Sequence, residues 1–131
     1  MISVHDLKSI SKGRLKDAQV LANAGRFDGS VYMCGYAVEL ALKARVCRTL
    51  KWLDFPETST QFQGYQSFKT HDFNILLHLS GAEGKIRTKF IAEWSIVLGW
   101  NPESRYRRMG TATKQNAINM IAAAKRLLGA L

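Results

Sequence analysis

Three groups of side chains in this sequence have the types and spacing to do chemistry. Tyr32, Tyr36, Glu39 and Lys43 recur at steps of four and three within "YMCGYAVELALK". At about 100° per residue they fall within roughly 60° of arc, one narrow polar stripe along an otherwise apolar helix. Between Asp28 and Arg45, Glu39 and Lys43 are the only charged residues. Exposed, such a pair contributes about 0.3–0.5 kcal/mol; buried, its desolvation can exceed its attraction. Two readings stand: a helical ion pair at the mouth of a groove, or a polar strip facing a groove that takes a phosphate or a base.

The second group is "KTHD", with Lys69, His71 and Asp72 ahead of an apolar run. Amides at a helix N-terminus beside a lysine can hold an anion, and His71 is the best general acid or base in the chain. The plainer reading is a capping cluster. The third group is "ESRYRRMG", where Arg105, Arg107 and Arg108 offer bidentate phosphate contacts and Tyr106 a stacking surface. Its plainer reading is a basic turn between helices. No metal site is expected: His71 and His78 would lie about 10 Å apart along a helix, and His5 has no convincing partner. Nucleophile motifs, Walker-type loops and glycine-rich dinucleotide turns are absent from the sequence, and no cofactor is called for. Catalysis, if present, would rest on His, Arg, Lys and Tyr acting on a phosphodiester.

The elements that must position these groups are helical. Leu7, Ile10, Arg14, Leu15, Ala18, Leu21 and Ala22 recur at three- and four-residue steps, predicting a helix over about 4–24 that stops at Gly25. Asp28 is placed to cap a second helix over about 29–52. That helix is apolar on most sides and therefore central. Its Gly35 would let another backbone come close. "DFPETSTQFQGYQSF", 54–68, reads as a loop, either a lid or partner surface or a plain surface insertion. Thr70 or Asp72 caps a third helix that ends at Gly81. Ile86, Phe90, Ile91, Trp94, Val97 and Leu98 mark a fourth, ending near Pro102. A last helix over about 112–129 turns Ile118, Ile121, Ala124, Leu127 and Leu128 inward. No strand alternation competes. The expectation is one domain over 1–131, an all-α, antiparallel four- to five-helix up-and-down bundle.

Bulk properties agree. The chain has 131 residues and 47% hydrophobic content, enough for one real core and too apolar for disorder. No apolar run reaches the eighteen or so residues that span a bilayer, and "MISVHDLKSISKGRLKDAQ" lacks a secretory signal's apolar core. A cytoplasmic protein with no membrane role is expected. Cys34 and Cys47 lie thirteen residues apart in one helix, about 20 Å, too far for a bridge, and should be reduced core residues. The formal net charge is +9, and the last third carries most of it: nine Lys or Arg against two Asp or Glu over 85–131. That potential suits nucleic acid, nucleotide phosphates or an acidic partner, or is a solvated basic surface.

"AGRFDGSVYMCGYAVELALKARV" at 24–46, "KTHDFNILL" at 69–77, a tryptophan-bearing helix and "SRY" at 104–106 together resemble the HEPN family, over about residues 5–128. The resemblance implies a bundle of four or five helices, usually a homodimer, with a groove for nucleotide or RNA. Many members are encoded beside a small nucleotidyltransferase and work as toxin–antitoxin pairs. Catalytic members are metal-independent RNases carrying an Arg, a polar residue and a His, with four to six residues between Arg and His. Here no arginine precedes His5, His71 or His78 at that spacing. Either this is a non-catalytic branch, the favoured reading, or His71 and Arg105 converge from separate helices. The resemblance also groups Glu39, His71 and Arg105–Tyr106 as signature polar residues. Tyr36, Glu39, Lys43, Lys69, His71, Asp72, Arg105, Tyr106 and Arg108 are therefore the candidate binding set. Three functions compete: a binding component with a partner protein, an RNase toxin, and a purely structural dimerisation module.

Overall fold

The structure is a computed structural model that describes residues 1–103 and 109–131. Six α-helices account for most of the described residues: α1 (Val4–Asn23), α2 (Phe27–Leu50), α3 (Phe73–Ser80), α4 (Glu83–Lys89), α5 (Ile91–Val97) and α6 (Lys114–Ala130). The fold is the expected all-α bundle. None of the described helices is long and apolar enough to cross a membrane.

Local chemistry explains where the helices begin and end. The Ser3 side chain accepts the Asp6 amide to start α1. At its end Gly25, at φ 77°, lets Arg26 N donate to Leu21 O and Gly25 N to Ala22 O. That pair of reversed bonds needs a left-handed residue, which glycine supplies without steric cost. α6 opens with a reciprocal cap between Thr113 and Asn116.

Asp28 does not cap α2, contrary to expectation: the helix begins two residues earlier, at Phe27, with Arg26 as a cap that makes no side-chain bond. The carboxylate is instead taken by the far end of the chain. Gly110 N donates to Asp28 Oδ2 at 2.6 Å and Ala112 N to Oδ1 at 2.8 Å.

Pairs of contacts reveal the direction of each element. Ser11 Oγ donates to Ala37 O and Ser30 Oγ to Ala18 O, so α1 and α2 run antiparallel. Asp28 lies by 110–112, while Arg45 and Arg48 donate to Leu131 O, so α6 runs parallel to α2. α3 also runs parallel to α2, because His71 meets Glu39 and Ser80 meets Thr49. Lys85 meets Ala130 O and Glu93 meets Arg126, so the α4–α5 arm runs against α6. Strict alternation holds for α1, α2, that arm and α6, with α3 as a short insertion in the direction of α2.

The segment that makes this possible is 51–72, which carries the chain back along the bundle. It is more structured than a loop. Asp54–Phe55 (β2) pairs antiparallel with Ile2–Ser3 (β1), a short ladder that alternation did not signal, and Gln66–Phe68 forms one 3₁₀ turn. Phe55 and Phe62 are buried, and Trp52 packs against Phe55, Tyr65 and Phe68.

The expected fourth helix is interrupted at Phe90, φ −129°, giving α4 and α5. Neither Gly nor Pro lies between Lys85 and Leu98. The break belongs to packing, where Phe90 lies against the core and the Arg126 guanidinium sits over its ring at 5.8 Å. In α6 the buried residues are Ala117, Met120, Ala123, Ala124, Leu127 and Ala130. Ile118, expected inward, is exposed.

The buried residues among those described form two clusters. The larger joins α1, α2, α3, α6 and the α4–α5 arm around Leu42, Leu76, Trp94 and Leu127. The smaller gathers Leu7, Val46, Phe55 and Phe62 under the returning segment. α2 supplies residues to both, which explains its apolar circumference.

Candidate functional site

Glu39 is buried, 2% exposed, on the helix that feeds both clusters. A carboxylate in such a place needs partners, because an unpaired buried charge is strongly unfavourable. It has two. Its Oε1 lies 2.6 Å from His71 Nδ1, and Lys43 Nζ donates to Oε2 at 3.3 Å. The Lys43 ammonium also sits 5.4 Å from the centre of the Phe55 ring, tying the pair to the second cluster.

His71 is delivered by the extended residues before α3. Thr70 Oγ1 accepts the Asp72 amide, and Asp72 caps α3 by accepting Asn74 N and Ile75 N. This fixes the backbone on which the imidazole stands. Its side chain is 57% exposed, against 3% for that of Glu39. With Glu39 ionised, Nδ1 must be the donor, which leaves Nε2 as the free proton acceptor of a neutral ring. An oriented imidazole at a surface opening is the arrangement of a general base or of a hydrogen-bonding ligand anchor.

Two hollows meet at His71. One, of about 510 Å³, runs over Leu40, Phe55 and Phe62, with Lys43, Lys69 and His71 among its lining residues. The other, of about 310 Å³, is bounded by Asp72, Phe73, Trp100 and Pro102. An apolar floor with Lys43, Lys69 and His71 around it, and with Glu57 held by the N-terminal ammonium, is the general form of a small-molecule pocket.

The remaining candidates fall as follows. Lys69 stands on the rim of the larger hollow and reaches Ser59 Oγ at 3.4 Å. Asp72 is committed to capping α3. Tyr36 belongs to an aromatic set: Tyr32 lies edge-on to it at 5.0 Å, with the two hydroxyls 3.3 Å apart, and Trp100 at 5.3 Å. Arg105, Tyr106, Arg107 and Arg108 lie outside the described residues. The proposed meeting of Glu39, His71 and Arg105 is thus found for its first two members.

Trp100 was missed as a positioning residue. Its indole stacks on Phe73 at 5.2 Å and occupies the space over Gly35. Gly35 therefore admits a ring, where close approach of a backbone was expected. A bare glycine within an apolar helix was the available signal that something large must fit there. Cys34 and Cys47 are both buried and free, as expected.

Compared with known families, the HEPN domain model matches residues 4–131 of the chain. Nothing matches among curated proteins or among solved structures.

Proposed function

Because the chain belongs to the HEPN family, we propose that it is a nucleotide- or RNA-binding component of a toxin–antitoxin or nucleotidyltransferase-linked system. It works as a homodimer beside a small nucleotidyltransferase or antitoxin, and it lacks the standard RNase motif. The observation that carries this reading is the buried Glu39 gripping His71 at 2.6 Å where two hollows open. Lys43 and Lys69 offer charge to a phosphate, Phe55 and Phe62 apolar surface to a base. The candidate residues Arg105, Tyr106 and Arg108 would add phosphate contacts and stacking.

Titrating the purified protein with nucleotides and short RNAs across a salt series tests the reading. Binding should weaken about tenfold or more in Glu39→Gln and in His71→Ala, and should fall as salt rises. No binding even at low salt would overturn it.

One observation favours a second reading, a metal-independent RNase toxin. A carboxylate that fixes the imidazole tautomer is a recurring arrangement for general-base catalysis. His71 would abstract or return a proton, and Arg105 would stabilise the developing charge. Overexpression should then slow growth in the wild type and spare it in His71→Ala; equal growth removes the reading.

A further inference from the structure

On the other side of α2 lies a second concentration of charge. At about 100° per residue, Arg45 stands roughly 160° around the helix from Lys43, so the two serve different surfaces. Arg45 and Arg48 from α2, Lys8 and Lys12 from α1 and Lys85 from α4 line one hollow of about 410 Å³. No acidic side chain lines it, and among the described residues none of the five cations has an ion-pair partner. Three of them turn to main-chain oxygens instead. Arg45 and Arg48 donate to Leu131 O at 3.3 and 2.7 Å, and Lys85 to Ala130 O at 2.8 Å.

Five like charges drawn from three helices to one concavity repel one another, and carbonyl dipoles offset only part of that cost. A carboxylate on Leu131 would remove one charge of the five. We infer that this hollow is a second anion site, separate from the Glu39–His71 site, that takes closely spaced phosphate groups. Two guanidiniums three residues apart can each bind a phosphate through two bonds, and the lysines add point charges around them. Adjacent phosphates match this charge density better than the carboxylates of an acidic peptide, which are spaced along an extended chain. Among the described residues no aromatic side chain lines it, so the site reads phosphate and not base. The phosphates can come from a free polyphosphate or from an RNA backbone.

Titration with sodium tripolyphosphate, and separately with a 12-nucleotide RNA, tests the inference. Lys8→Gln/Lys12→Gln changes two exposed side chains with no hydrogen bonds to lose, so a circular dichroism melt should match the wild type. Tripolyphosphate binding should weaken at least fivefold in it, and its dependence on salt should become shallower. Arg45→Gln/Arg48→Gln should lower affinity further. RNA binding that weakens in parallel in the lysine variant identifies the backbone as the source; loss for tripolyphosphate alone identifies a free phosphate compound. Affinity equal to wild type in the lysine variant, no binding by the wild type at low salt, or equal competition by polyglutamate would overturn the proposal. The last would point to an acidic protein instead.

Discussion

At the scale of single residues, the site depends on how little room surrounds it. A Cβ on Gly35 would stand 2.0 Å from atoms of the Trp100 indole, a distance no real pair tolerates. Gly35→Ala gains up to about 1 kcal/mol of helix propensity. Displacing a ring stacked on Phe73 costs about 1–3 kcal/mol or more, so the clash wins. The expected outcome is a melting temperature lower by several degrees, with an altered tryptophan emission spectrum; an unchanged melt would mean the ring sits elsewhere. Much of the site was readable at this scale. The pairing of Glu39 with Lys43 follows from helical spacing, and the resemblance put His71 beside Glu39. The aromatic wall could not be read off, because it depends on Trp100, sixty-five positions from Gly35, folding back onto α2. Ile118 failed for the related reason that periodicity marks an apolar face without saying which neighbours cover it.

At the scale of elements, the start of α6 is held by α2 through Asp28. The amides of Ala112 and Gly110, with Arg26 nearby, hold its carboxyl below the ordinary value of 3.8. A lowered folded pKa means that the unfolded chain binds the proton more readily. The stabilisation is therefore complete above about pH 4 and is lost as pH falls through the folded value. Asp28→Asn should lower unfolding free energy by about 1–2 kcal/mol at pH 7, the weight of charge-assisted bonds discounted for partial exposure. The gap between wild type and variant should narrow as pH falls below the ordinary value; urea titrations at pH 7 and pH 3 measure it. A gap of equal size at both would refute the assignment. Helix ends were legible where a residue's own backbone decides them, as at Gly25 and Gly81, both at positive φ. They were illegible where a distant segment decides: Asp28 has the right type and place for a cap, and the amides of Gly110 and Ala112 outcompeted that role. The interruption at Phe90 has the same character, since nothing between Lys85 and Leu98 breaks a helix by itself.

At the scale of the molecule, class and helix order followed from periodicity, whereas the reversal of α3 did not. Its direction is set by how residues 51–72 travel, and an irregular segment carries no periodic signal of its path. Buried Phe55 and Phe62 along that path turned an expected loop into the lid of a second cluster. The helix shared by the two clusters has a further consequence. Cys34 lies in the larger cluster and Cys47 in the smaller, so α2 carries one thiol into each. Burial pushes the Cys34 thiol up to about 12, and burial with Asp54 nearby pushes Cys47 up to about 11. Neither presents a reactive thiolate while folded. The protein thus contains a matched pair of clocks. Under iodoacetamide at neutral pH, mass spectrometry of the two peptides should record one common alkylation rate, set by opening of the whole domain. Two distinct rates would show that one cluster can open while the other still keeps time.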